Sequence, residues 1–469
     1  MIHIVLREIV QHLDGHVIHG RDDHIMKSVI KRTKKDIDHH TLLFHVNRDS
    51  INGQYWSAKQ AVAVVTDVPE QCKNLHDEIS VIAVDNVKEA YWKFIDYYRG
   101  LFDIPVIGVT GTCGKTTTKE MIAQMLEHDY NIDYTWMSMN SMSVNLRYLM
   151  RLKKETEIAV YEMPVAYPGY LKIACRYFKP QIRVLLNIDV HHLADCETPE
   201  VYMKAKGEIT DGLDPETGIL ILNGDDENIK RIVDVSPFKQ VIYFGKGAGM
   251  HFHAEDIQYG EQGMRFKLQY EGKPYHVYVP GLGEHNVYNA LAALAAVVSA
   301  GVDLEKAIQY LADFEHVEEH LEFKSGVNGC TVIDDTWNSS PLSMKTGLQV
   351  LKEAATGKLS IALLGYMPQL GDSRYATLEY RKLGETAVHF GIDLLIVVGK
   401  EAVEIGKGAL DAGMDQSKVF FCETGTELNT RLQDKVNKDT VLLLKITHRV
   451  MKQPSFKTFK KYLIPNKDE

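Results

Sequence analysis

The feature that most constrains this chain lies at residues 104–118. The run IPVIGVT (104–110) is apolar and rich in β-branched residues, as a buried strand would be. Gly111, Thr112, Cys113 and Gly114 follow. Lys115 then opens a helical stretch in which Met121, Ile122, Met125 and Leu126 share one face. A strand, a glycine turn and a helix in this order point backbone N–H groups and the positive helix end at an anion. Lys115 can reach the β- and γ-phosphates of a nucleotide, and the Thr116 hydroxyl can bind Mg²⁺. Strict P-loop spacing would put glycine at position 109. Here that residue is Val109, and Gly108 comes one residue early. The string that remains, T-G-T-x-G-K-T-T-T, supplies Thr110, Gly111, Thr112, Gly114, Lys115, Thr116 and Thr117 as the expected ATP-binding set.

Composition narrows the alternatives. A chain of 469 residues has room for about three domains at roughly 150 residues each. Lys plus Arg number 53 and Asp plus Glu 63, a net charge of −10, so no basic face is expected for nucleic acid. A small anionic substrate is still compatible with a local positive pocket. The longest apolar run, Ala290 to Val298, has nine residues, too few to span a membrane. The start, MIHIVLREIVQHLDG, lacks the apolar core of a signal peptide. Cys72, Cys113, Cys175, Cys196, Cys330 and Cys422 are scattered with no C-x-x-C pair, so neither disulfides nor a zinc ribbon is expected. A reduced, cytoplasmic setting is the expectation, with no membrane partner.

The predicted fold class is α/β in three domains. Residues 1–102 form a small N-terminal α/β substrate domain, with strands at 61–67 and 80–86 and a helix over 87–102. Residues 103–313 form a central P-loop ATPase domain with a mainly parallel sheet. Its further strands fall at 157–163, 182–188 and 218–224, and a long helix covers 285–301. Residues 314–469 form a C-terminal Rossmann-like domain with strands at 329–335, 359–365, 393–399, 419–422 and 440–446. No G-x-G-x-x-G follows any of these strands, so a dinucleotide site has no support.

The loop string, continued by Thr118-Lys119-Glu120-Met121-Ile122, resembles the ATP loop of the Mur ligases, the amide-forming enzymes of peptidoglycan precursor synthesis. It is most similar to their MurF branch, over about residues 90–400. The resemblance implies that the C-terminal domain presents the incoming amine. It implies metal-binding roles for Glu162, in V-Y-E-M, and for His192, in N-I-D-V-H-H-L. Lys206, in K-A-K-G-E-I, matches a lysine often carbamylated by CO₂, which would make it an anionic metal ligand beside Thr116, Glu162 and His192. Asn289, in G-E-H-N-V-Y-N-A, matches the adenine contact. Asp335, in D-D-T-W-N-S-S-P, matches the residue that holds ribose hydroxyls. Lys115, Glu162, His192 and Lys206 are thus the expected catalytic residues, with ATP and one or two Mg²⁺ ions as cofactors.

The departures from the family are concentrated. His320 stands where the family has an arginine on the nucleotide phosphates. On the amine side, Asn338 would line the cleft. Tyr366 and Gln369 replace two acids, and Tyr380 replaces a histidine. In the N-terminal domain, Lys31-Arg32-Thr33 lies near the place of the D-S-R string associated with the uridine nucleotide. The expectation is an ATP-dependent carboxylate–amine ligase with an acid and amine other than MurF's. The substrates would be an amino acid, a dipeptide or a UDP-muramyl peptide, and the protein a monomer or weak dimer. Two alternatives stay open: a true MurF joining D-Ala-D-Ala to UDP-MurNAc-tripeptide, and an ATP-binding regulatory or assembly protein with impaired catalysis.

Overall fold

A computed structural model of the chain describes residues 1–31, 37, 40–52 and 62–465. Arg32, Thr33 and Ala61 lie outside the described residues. The chain divides into two compact units: Met1–Val106 with Tyr130–Ala159 and Ile173–Lys179, and Ile107–Asp129 with Val160–Lys172 and Pro180–Glu469.

In the first unit a five-stranded sheet runs in the order His16–His19, Ser80–Ala83, Ala63–Thr66, Thr41–Phe44, Ser28–Ile30. The first pair is antiparallel and the others are parallel. The second and third strands in that order are those legible as apolar runs ending at turn residues. The helix Val87–Gly100 buries Val87, Ala90, Tyr91, Phe94, Ile95 and Tyr98, a spacing of three and four that makes one continuous stripe. Asn86 starts it, its side chain accepting the N–H groups of Lys88 at 3.0 Å and Glu89 at 3.2 Å.

The second unit holds two sheets. In the first, Ile158–Glu162, Val106–Thr110, Ile182–Leu185, Ile219–Asn223 and Gln240–Gly245 are consecutive neighbours. Val106–Thr110 and the three strands after it are parallel. Each is short and mostly apolar, as parallel strands with helices on both faces are. The helix Glu284–Ser299 is buried along most of its length and packs on the helix Lys115–Glu127. The sheet continues into Phe252–Tyr259, Gly263–Tyr270 and Lys273–Pro280, the last two joined in antiparallel hairpin fashion. This extension was not among the expected strands. Its residues alternate polar and apolar, with only one face buried, so they lack the solid apolar runs of the parallel strands.

The second sheet has six strands in the order Glu322–Ser325, Thr331–Asp334, Thr440–Lys445, Leu359–Leu364, Leu394–Val398, Val419–Cys422. All neighbours are parallel except the first pair. Successive residues of Leu359–Leu364 serve opposite cores. Ile361 and Leu363 pack with Phe456 and Phe459, while Ala362 and Leu364 pack with Leu348 and Leu351. Lys445 ends Thr440–Lys445 and Asp335 follows Thr331–Asp334, so both stand at the C-terminal ends of two neighbouring parallel strands.

Candidate active site around the phosphate loop

The strand Val106–Thr110 is buried throughout and delivers Thr110 to the loop. Gly108 belongs to the strand, not the loop. A Cβ there would come 2.5 Å from Met163 Sδ, so glycine is required by packing. Gly114 precedes the helix with φ 83°, in the left-handed region. A Cβ on it would also meet Asn289 Oδ1 at 2.5 Å. Asn289, one of the expected nucleotide contacts, therefore lies directly against the loop. Thr117 and Thr118 are buried in the first helical turn.

Lys115 curls over the loop, its ammonium donating to the carbonyls of Gly111 and Thr112, both at 3.0 Å. Thr116 Oγ1 donates to Glu162 Oε2 at 3.0 Å. Glu162 is the last residue of the strand Ile158–Glu162 and only 3% exposed. Lys206, 1% exposed, comes from the helix Pro199–Gly207 and donates to the Gly111 carbonyl at 2.7 Å and to Thr110 Oγ1 at 3.2 Å. Burial, reinforced by the nearby Lys115, pulls the Lys206 amine well below its usual range. Lys115, Thr116, Glu162 and Lys206 are thus brought to one loop from three separate elements.

His192 sits at φ 49° with its ring stacked on Tyr202 at 5.9 Å. Burial first, then Lys206 and Lys115, pulls its imidazole down to about 3, so it is neutral. Its Nδ1 is buried without a hydrogen-bond partner, as is Nε2 of the adjacent His191. A neutral imidazole nitrogen, a carboxylate and a threonine hydroxyl are donor types that suit Mg²⁺. That ion keeps waters and phosphate oxygens in its shell and needs few protein ligands. Among the described residues no cluster of three or more His, Cys, Asp or Glu is arranged as a metal cage. The fit is that of an ion shared with a nucleotide.

The loop is held by residues that sequence reasoning gave no role. Asn187 clamps Cys113, accepting its N–H at 2.9 Å and donating to its carbonyl at 3.1 Å. Thr112 Oγ1 accepts the Asp189 N–H at 2.9 Å. Asp226 accepts the N–H of Ile188 at 2.9 Å while capping the helix Glu227–Ile232. The available signal was Asn187 ending an apolar strand and Asp226 preceding a helix, both of which also read as ordinary turn residues.

The second sheet reaches the same loop. Ser340 caps the helix Pro341–Ala354, and its Oγ lies 3.2 Å from Cys113 Sγ. Burial pushes the Cys113 thiol up, against the opposing influence of Ser340, Lys115 and Lys445. Asp335 pairs with Lys445 at 2.6 Å, and Lys445 also donates to the Asn338 carbonyl at 2.7 Å. His320 lies apart from these contacts, with Nδ1 2.7 Å from the Glu318 carbonyl and its ring stacked on Trp337 at 5.9 Å. Tyr366 packs against the core formed by Met367, Leu370 and Tyr380. The Tyr380 hydroxyl is committed to the Met367 N–H at 2.7 Å, whereas Gln369 Oε1 is buried without a partner. In the first unit, the Lys31 ammonium lies 4.1 Å from the Tyr91 ring centroid and donates to the Tyr177 hydroxyl.

Fold and site together define a phosphate-loop nucleotide enzyme with a carboxylate and a buried lysine beside the loop. Residues 109–297 match the Mur ligase middle domain. The UDP-N-acetylmuramoyl-tripeptide–D-alanyl-D-alanine ligase of Bacillus subtilis strain 168 is 27% identical over 447 residues, 95% of this chain and 96% of that protein. The enzyme of the same name from Escherichia coli K12 is 30% identical over 326 residues, 69% of this chain and 71% of that one. Among solved structures, MurF ligase from Thermotoga maritima in complex with ADP has a TM-score of 0.76 at 22% identity, covering 93% of this chain and 98% of that one. The chain belongs to the Mur ligase family, in its MurF branch. It is an ATP-dependent ligase that forms an amide bond. Among the described residues no helix is long and apolar enough to cross a membrane.

Proposed function

We propose that this ligase phosphorylates a substrate carboxylate and joins the resulting acyl group to an amine, with an acid and amine other than those its MurF relatives are named for. A carboxylate oxygen takes the γ-phosphoryl group and ADP departs. The amine nitrogen then attacks the acyl carbon, the bond to phosphate breaks, and the nitrogen loses a proton, leaving amide and phosphate. The observation that carries the first half is the convergence of Lys115, Thr116, Glu162 and Lys206 on one loop. Lys115 and the loop N–H groups stabilise charge on the transferring group. Thr116, Glu162 and His192 would hold Mg²⁺, which would neutralise phosphate charge when bound. Burial disfavours the charged form of Lys206, and its unprotonated amine can add to CO₂, forming a carbamate and releasing a proton; that is the role the resemblance implies. Asn289, Asp335 and His320 are assigned to the nucleotide, and residues 1–102, 103–313 and 314–469 to acid, ATP and amine respectively.

Gln369 favours a different amine. Its carbonyl oxygen is buried and unpartnered, in a place where a neutral acceptor replaces an acid. An amide oxygen accepts a hydrogen bond but does not pair with an ammonium as a carboxylate does. A second reading, that the chain carries out the MurF reaction itself, is favoured by the end-to-end match to the Bacillus subtilis enzyme, 95% of this chain and 96% of that one. The deciding experiment is ADP release over a panel of amino acids and dipeptides, with and without UDP-MurNAc-tripeptide. We expect weak turnover with the tripeptide and D-Ala-D-Ala. Turnover matching a MurF run alongside would overturn the substrate reading and leave the ligase intact. Absence of ADP release with every pair would favour the non-catalytic alternative.

A further inference from the structure

We infer that Lys445 is a positioning residue for nucleotide selection, holding the Asp335 carboxylate oriented so that the enzyme reads the ribose hydroxyls of its nucleotide. The inference rests on the assignment of Asp335 to the nucleotide. Lys445 ends the strand Thr440–Lys445 and its side chain is 2% exposed. A buried ammonium needs acceptors, and two are present: Asp335 Oδ2 at 2.6 Å and the Asn338 carbonyl at 2.7 Å. Both acceptors belong to the turn between the strand Thr331–Asp334 and the helix Pro341–Ala354. That turn reaches the phosphate loop, because Ser340 Oγ lies 3.2 Å from Cys113 Sγ. Lys445 is itself near enough to act on the Cys113 thiol.

A carboxylate just past the C-terminal end of a parallel strand, beside bound phosphates, is well placed for sugar hydroxyls. The ion pair occupies Asp335 Oδ2. The Asp335 N–H is tied to the Leu444 carbonyl at 3.0 Å, which fixes the backbone on the same strand that carries Lys445. The neighbouring Asp334 serves a different purpose. It pairs with Lys460 at 3.0 Å and Lys324 at 3.4 Å and is fully buried, whereas Asp335 keeps 6% of its surface. Without Lys445, Asp335 would lose the 2.6 Å contact that fixes its rotamer.

The test compares binding of MgADP and Mg-2′,3′-dideoxy-ADP to the full-length protein by calorimetry. Wild type should prefer ADP by about ten- to a hundredfold, the worth of one or two hydrogen bonds to a charged group. Asp335→Asn should lose most of that preference. Lys445→Met should lose it too, with affinity for the dideoxy nucleotide little changed, and Lys445→Arg should recover part of it. Lys445→Gln serves if the methionine variant fails to fold. Full preference in Lys445→Met or Lys445→Gln, with loss in Asp335→Asn, would overturn the role of Lys445 alone. Equal weakening of both nucleotides would also overturn it, since that marks a merely structural ammonium. No preference in wild type would remove the assignment of Asp335, and the inference with it.

Discussion

Lys115 donates to two loop carbonyls, which hold its ammonium over the phosphate loop. Lys115→Ala should lower ADP release on the order of a hundred- to a thousandfold, as loss of a charge-stabilising donor does. Its thermal melt should match wild type, because the side chain supports no core. Lys206 is different: its amine lies inside the protein, on the Gly111 carbonyl. Lys206→Ala should be nearly inactive in the same assay. Added bicarbonate should not rescue it, while short carboxylic acids should restore part of the rate by replacing the lost anion. Wild-type activity in Lys206→Ala would show that the lysine only braces the loop. In the sequence this residue looks like one of several lysines on a solvated helix face. Only packing reveals that Lys204 is exposed and Lys206 is not.

At the level of elements, the segment 187–192 is a bracket. Asn187 fixes Cys113, Asp189 meets Thr112, and Asp226 holds Ile188 from the far side. Asp226 accepts three backbone N–H groups, those of Ile188, Asn228 and Ile229, each at 2.9 Å. Asp226→Ala removes a helix cap and an anchor of the His192 segment together. It should cost about 2 kcal/mol in urea unfolding, roughly one capping interaction and one further buried hydrogen bond. It should also weaken Mg²⁺-dependent nucleotide binding more than Mg²⁺-free binding. An equal effect on both would show that the segment does not serve the metal side of the loop. The strand–loop–helix at 104–127 was legible because apolar run, glycines and helical stripe all agree locally. The bracket was not, because its partners come from three places in the chain and each looks like an ordinary turn residue.

Across the larger unit, long-range charge contacts close the chain on itself. Glu319 accepts from Lys460 on the C-terminal helix and lies 3.1 Å from His448 Nδ1. Burial alone would raise its carboxyl, but Lys460 and His448 outweigh that and hold it below the usual range. A carboxylate with a depressed folded value adds stability above its unfolded value, about 4.3, and that contribution is lost as pH falls through the folded value. Glu319→Gln should therefore be less stable than wild type by about 1 kcal/mol at pH 7, a figure kept small by partial exposure. The gap should close below about pH 4. A gap of unchanged size at low pH, read from urea midpoints, would mean that Glu319 acts through packing and not charge.

The sequence alone determined the phosphate loop and the apolar parallel strands, and its short strings, through their resemblance to the Mur ligases, named Glu162, His192 and Lys206 as candidates. These signals are local: strand period, glycine spacing and short strings survive without knowledge of the fold. Tertiary structure decided what those residues do to one another. It buried the Lys206 amine and pulled it well below its usual range, left His192 Nδ1 without a hydrogen-bond partner, and paired Asp335 with Lys445, 110 positions along the chain. It also placed the Tyr380 hydroxyl on a backbone N–H while leaving Gln369 Oε1 unpartnered. Burial and partner choice set protonation and hydrogen bonding, and both depend on which distant segments pack together, a quantity no local pattern contains.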